Sequence, residues 1–200
     1  MVVIILQIIG WLLFLLFSIL CGNWLRKHAG KTQAEMTSQL THWLFGLWIV
    51  PLCGIGFFYP GLDHYDEIIG LPSLTDYAFI RVIMILFLLA GFYLMIVSNI
   101  ALRLFGKGAN AFFLTKKVVE GSIYKRIRIP MSLGLYIISL GLGLLFGSTS
   151  IVLGVLFLVV PIHVFYLKYF EETELELRLG QPYMEYKHKT PFLFSRFIGK

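Results

Sequence analysis

Two short stretches hold most of what this chain could use for chemistry. Arg126 and Arg128 stand just before Pro130, and Glu171 and Glu172 stand side by side further on. Proline suits the first position of a helix, pushes the residue before it toward extended conformation, and leaves first-turn N–H groups without partners inside the helix. A helix start of this kind attracts anions. The glutamates do the reverse. Adjacent carboxylates repel, which argues for a cationic neighbour: Arg126, Arg128, Lys168 or a bound ligand. A pocket that offered both elements would suit a zwitterionic amino-acid head group, although basic residues that merely anchor a membrane helix would give part of the same pattern.

Other chemistry has little support. No Ser/His/Asp set, HExxH helix or phosphate-binding loop is present, and "GKGAN" at 106–110 has no strand before it, so it reads as a flexible loop. Cys21 and Cys53 sit inside apolar runs without ligand spacing and read as small buried hydrophobes, so no metal site is expected. His163, beside Pro161, reads as a helix-packing hydrogen bond more readily than as a catalytic group, and His188 as a surface residue.

The elements that must position these residues are membrane helices. The 200 residues are 58% hydrophobic and 14% charged, with a mean hydropathy of +0.82, against roughly 25% charged in a soluble domain. The net charge of +6 does not indicate nucleic acid, because so apolar a chain has no broad polar face for a duplex. About 20 apolar residues cross a bilayer, and five stretches qualify or nearly do. They are Val2 to Leu25, Leu40 to Tyr59 with a kink at "VPLCGIG", Tyr77 to Leu104, Met131 to Phe146, and Ser150 to Tyr169. The last two form a hairpin joined by "GSTS", whose "GLLFG" allows close approach of backbones. The expectation is an all-α integral membrane protein, with residues 1–105 carrying three spans and 106–200 a cofactor-binding core of one integrated domain.

Orientation follows from lysine and arginine. All but Arg81 of the 17 basic residues fall between spans one and two, between spans three and four, or after span five. The opposite loop, "GLDHYDEIIGLPSLTD", carries four acids and no lysine or arginine. The N-terminus is therefore expected outside and the C-terminus in the cytoplasm. In "YFEETELELRLG" apolar residues interleave with charge up to Gly180, so span five is expected to continue into water as an amphipathic helix capped by that glycine. The loop at 104–130 and the tail then open on one membrane face.

The C-terminal half resembles the membrane methyltransferases typified by isoprenylcysteine carboxyl methyltransferase, with phosphatidylethanolamine N-methyltransferases as more distant relatives. The resemblance rests on "GSIYKRIRIPMSLG", a helical hairpin, and "EETELELRLGQPYMEY", in which Glu171–Glu172 are followed by Gly180, Tyr183 and Tyr186. It covers roughly residues 106 to 192. It implies S-adenosylmethionine bound from the cytoplasmic side, with contacts at Lys116, Lys117, Val118, Val119, Tyr124, Ile129, Pro130, Met131, Ser132 and Glu171. Tyr124 would cover the adenosyl part, Glu171 would accept from the cofactor's ammonium, and the helix start would take its carboxylate. Arg128, supporting the turn and the carboxylates, and Glu172 are the catalytic candidates. The family's His or Asn before proline is Ile129 here, and its tyrosine two residues after proline is Ser132; Ile129 can contribute its backbone groups but not an imidazole or amide hydrogen bond.

Methyl transfer from a sulfonium is an in-line displacement, so positioning and exclusion of water carry much of it. A carboxylate acceptor needs no general base, whereas an ammonium or thiol must first lose a proton. The expected acceptor is amphipathic, a prenylated, acylated or otherwise lipid-bearing small molecule entering from the bilayer. Tyr166, Tyr169 and Phe170 either line that entrance or act as interface anchors. Two other classes stay open: an NADPH-dependent membrane reductase with a similar core, and a non-catalytic membrane adaptor.

Overall fold

A computed structural model describes residues 2–49, 62–74, 77–106 and 114–193, and among them the fold is helical with no strand. Helix α1 (Val2–Lys27) is almost continuously apolar and ends on Arg26 and Lys27, which suit the negative end of a helix dipole. Helix α2 (Lys31–Leu44) widens into a π-helical stretch at Phe45–Ile49. Short α3 (Leu62–Ile69) precedes α4 (Ala78–Phe105). After a 3₁₀ turn at Ser122–Lys125 comes α5 (Pro130–Leu145), then α6 (Thr149–Leu179) and α7 (Gln181–Lys189).

Three of these, α1, α4 and α6, are long and apolar enough to cross a membrane. The 16 residues of α5 give about 24 Å at 1.5 Å per residue, short of a hydrocarbon core of about 30 Å. Of the expected second span, Leu40 to Tyr59, residues 40–49 are helical, in α2 and its π-helical extension, and the rest lies outside the described residues. Its proposed kink at Pro51, together with Cys53, lies outside the described residues, as does most of "GKGAN". Span five continues past Tyr169 as expected: α6 runs unbroken for 31 residues, about 46 Å, so its C-terminal turns must project beyond the apolar layer. Gly180 ends it as expected, with φ of 65° and its N–H bonded to Glu176 O at 3.0 Å.

Lipid already solvates apolar side chains, so close packing and buried hydrogen bonds must hold the helices together. Helices α4 and α5 pack along their length through Gly91 and Gly134: a Cβ on either would stand 2.9 Å from the other's carbonyl oxygen. Gly143 allows the expected tight hairpin, since a Cβ there would lie 2.9 Å from Val152. On the other side Trp11, Phe14, Cys21 and Leu25 of α1 pack against Ile162, Tyr166, Leu167 and Phe170 of α6. Between α5 and α6 the Tyr136 hydroxyl and His163 Nδ1 are 2.7 Å apart, the helix-packing bond expected of His163.

The acidic loop holds more structure than its sequence predicts. Asp66 is buried and takes both N–H groups at the start of α6, Thr149 at 3.0 Å and Ser150 at 2.7 Å. Ser148 caps the same helix by accepting from Ile151 N–H. A carboxylate on a helix N-terminus satisfies orphan donors and favours the dipole, so Asp66 fixes the end of α6 opposite Glu171.

Candidate functional site

Beyond the membrane-packed core, α2, α4, α5, α6, α7 and the loop from Leu114 to Ile129 enclose a cavity of about 390 Å³, within the roughly 300–1,000 Å³ usual for small-molecule sites. Ten of the residues named from sequence border it: Lys117, Val118, Val119, Tyr124, Arg128, Ile129, Met131, Ser132, Glu171 and Glu172. Two do not. Lys116 instead ties its backbone N–H to Gly106 O at 3.1 Å, which holds the loop to the end of α4, and Pro130 is fully buried as the first residue of α5.

Local sequence explains how the α5 wall forms. Ile129 precedes proline and is non-helical, at φ −120° and ψ 52°, short of full extension. Its side chain caps nothing, so the first-turn N–H groups beside Met131 and Ser132 have no partner within the helix. The opposite wall owes its register to a π-helical stretch at Leu167–Glu171. Such stretches add a residue to the helical turn and occur often at functional sites. Glu171 and Glu172 consequently meet different surroundings.

Glu172 is the paired member. It accepts from Arg128 Nη1 at 2.5 Å and Lys187 Nζ at 2.7 Å, and the same lysine reaches Glu176 at 2.8 Å. Burial pulls the Lys187 ammonium down, but its hydrogen bonds to Glu172 and Glu176 outweigh that and hold it above the usual lysine value. Glu174, two residues on, is buried against Arg178 Nε at 2.5 Å, and Arg178 also donates to Thr115 O. Glu171 lines the cavity and forms no ion pair among the described residues. Arg128 Nε, nearby, has no hydrogen-bond partner among them either.

The tail closes the cavity. Tyr183, Tyr186 and Phe192 line it; the Tyr186 hydroxyl donates to Tyr124 O at 2.7 Å, and Arg128 N–H donates to Pro191 O at 3.0 Å. Burial, with Tyr186 and Glu171 adding to it, pushes the Tyr124 phenol up; burial likewise raises Tyr183 and Tyr186. All three stay neutral hydrogen-bonding groups at ordinary pH. Of the cationic neighbours expected for the glutamate pair, only Arg128 serves. Arg126 is exposed and Lys168 lies over the Phe192 ring at 4.9 Å.

Sequence reasoning missed Glu174, Arg178, Lys187, Phe192 and the α2 wall of Ser38, His42 and Phe45. The four-residue spacing of Glu174 and Arg178 on one helix was a usable signal. Nothing local marked Lys187 or α2. The trio Tyr166, Tyr169 and Phe170 does not form one open side wall. Tyr166 faces the cavity, Phe170 is fully buried, and Tyr169 lies beneath Arg26 of α1 at 3.9 Å.

The fold is that of a helical membrane protein, and one cavity in it is bordered by the Glu171 carboxylate, the α5 N-terminus and Arg128. Comparison with known protein families matches residues 80–181 to the phospholipid methyltransferase family, and the chain belongs to it. The matched segment contains all but the first two residues of α4, the loop, α5 and α6, and so most of the cavity wall. No curated protein and no solved structure gives a significant match.

Proposed function

We propose that the protein is an S-adenosylmethionine-dependent membrane methyltransferase acting on a lipid-like acceptor, with the cavity as its cofactor site. The observation that carries this reading is the unpaired Glu171 carboxylate facing the same cavity as the α5 N-terminus and Arg128. S-adenosylmethionine fits that donor set, because its amino-acid end carries an ammonium and a carboxylate a few ångströms apart. When bound, it supplies a methyl group on a positively charged sulfur.

The chain's own residues bind and orient. Glu171 accepts from the ammonium, while the N–H groups at Met131 and Ser132 receive the carboxylate. Tyr124 and the Lys117–Val119 segment border the adenosyl part. Arg128 and Lys187 hold Glu172, so that its charge is neutralised and its position fixed beside the reacting region. Tyr183, Tyr186 and Phe192 exclude water over the site, which strengthens every charge interaction inside it. Residues 1–105 and 106–200 act as one membrane unit, with α1 packed on α6 and α4 on α5. The distribution of basic residues supports an external N-terminus and a cytoplasmic cavity, open to soluble cofactor from one side and to a tailed acceptor from the bilayer.

Calorimetric titration of the detergent-purified protein with S-adenosylmethionine and, separately, NADPH tests the reading. Binding of the first alone is expected. Glu171→Gln should weaken it roughly tenfold or more, since a hydrogen bond to a charged group contributes about 1.5–3 kcal/mol, whereas Ile129→Ala should change it only modestly because that position works through its backbone. Binding of NADPH instead, or unchanged affinity in folded Glu171→Gln, would count against the assignment.

A further inference from the structure

The cavity reaches beyond the glutamate pair to a wall that the family match does not include. Ser38, His42 and Phe45 of α2 border it there, opposite Met95 and Leu102 of α4. Among the described residues α2 packs on α1 and α6 while α4 packs on α5, and no packed seam joins α2 to α4. An acceptor held between these two walls meets His42 beside the cofactor end.

His42 is set up as a base. Its Nδ1 lies 2.8 Å from Ser38 O. A carbonyl can only accept, so Nδ1 carries the hydrogen and the neutral ring keeps its lone pair on Nε2. The ring is half-buried, which leaves a captured proton a route to water. His163 borders the same cavity but is less suited. Its Nδ1 is engaged by Tyr136, and its ring is stacked between Phe45 and Tyr166. The titratable groups of α6 that border the cavity with His42 are His163, Tyr166, Glu171, Glu172, Glu174 and Arg178, and α1, which packs on α2, carries Cys21 in the buried core.

We propose that His42 is the general base for an amine acceptor: the head group binds between α2 and α4 as an ammonium and gives its proton to His42 Nε2. This rests on the methyltransferase reading above. The freed nitrogen lone pair forms the N–CH₃ bond while the S–CH₃ bond breaks and its electron pair stays on sulfur as a neutral thioether. The imidazolium then returns its proton to water. A carboxylate acceptor would make no use of His42.

Two measurements test this, the first without cofactor. A tailed primary amine at ten times its Kd should slow diethylpyrocarbonate labelling of His42 about tenfold by occupancy, mapped by mass spectrometry, and leave exposed His28 labelling at its usual rate. An unchanged His42 rate overturns the proposal. The second compares wild type with His42→Gln on tailed amine and tailed carboxylate acceptors across pH 5.5–9. The variant should keep cofactor affinity within about twofold by calorimetry and lose turnover on the amine about 100-fold or more. It should also lose the acidic limb of the wild-type pH profile, with imidazole restoring turnover to His42→Ala. Equal loss on both acceptors, or an unaltered profile, overturns the role of His42. If wild type binds no S-adenosylmethionine, the methyltransferase reading fails, and the labelling arm still decides whether His42 meets an amine.

Discussion

Substitution at the Glu174–Arg178 pair should separate the stability of this protein from its ability to hold a cofactor. The side chains are 1% and 6% exposed and meet at 2.5 Å, so neither charge can turn to solvent if its partner is removed. Breaking such a pair costs about 3–5 kcal/mol, whereas replacing both members with well-packed apolar side chains is often neutral. Arg178→Met and Glu174→Leu should each destabilise by that amount, and the double variant by far less than their sum, giving a coupling of at least about 3 kcal/mol. Arg178 has a second task, donating to Thr115 O and so holding the loop that carries Lys117, Val118 and Val119 against α6. The double variant leaves that carbonyl unserved. Its stability should recover while its S-adenosylmethionine affinity stays as weak as that of Arg178→Met. Reversible unfolding in detergent micelles gives the cycle, and calorimetry gives the affinities. Additivity within about 0.5 kcal/mol would refute the argument for a coupled buried pair, and wild-type affinity in the double variant would refute the loop argument.

Asp66→Ala should lower stability by about 2 kcal/mol through loss of a carboxylate cap on two N–H groups, a fall in Tm of about 4–8 °C for a chain of this size; Asp66→Asn, which keeps an acceptor, should lose less, and an unchanged Tm in Asp66→Ala would remove Asp66 as the anchor of α6. Burial raises the Tyr124, Tyr183 and Tyr186 phenols above their unfolded value of about 10, so above pH 10 the folded state holds more protons than the unfolded one. Their contribution is fully present below pH 10 and is lost as pH rises toward the folded values. Tyrosinate absorbance should show these three resisting ionisation until unfolding, and their titration near pH 10 in the folded protein would contradict the closed tail.

What the sequence could reveal was set by how local each determinant is. The long apolar runs of α1 and α4 are their own evidence. Pro130 and Gly180 mark helix ends because their backbone preferences act at one residue. The different roles of Glu171 and Glu172 came only from the family resemblance: adjacency itself states that two carboxylates repel, and the π-helical register that pairs Glu172 with Arg128 and Lys187 and leaves Glu171 open in the same cavity depends on packing across α6. Asp66 reads as one more external acid until α3 folds back on the start of α6. Lys187 reads as a surface lysine until Gly180 turns α7 toward the glutamates. The α2 wall was hidden for the same reason, since nothing near His42 in sequence refers to residues more than a hundred positions away.

The arrangement of carboxylates also explains why the site needs so many committed charges. Glu171, Glu172 and Glu174 stand within about one helical turn beside an apolar layer, where each ionised group is costly unless it is paired. Glu172 and Glu174 are paired, the first by residues from the loop and tail, the second by Arg178 of its own helix. These contacts do more than neutralise two charges. They fix the loop, the tail and α6 relative to one another, and so fix the walls around Glu171, the carboxylate of the three that has no ion-pair partner among the described residues. Pairing Glu171 internally would lower the cost of its burial but would leave a cationic ligand nothing to gain there. Leaving it open lets the ligand's cation stabilise the ionised form that burial disfavours, so the free energy of completing the charge set becomes free energy of binding. The surrounding ion pairs are the condition for that, because a carboxylate on a mobile wall would turn toward water or the nearest lysine instead of waiting for the ligand.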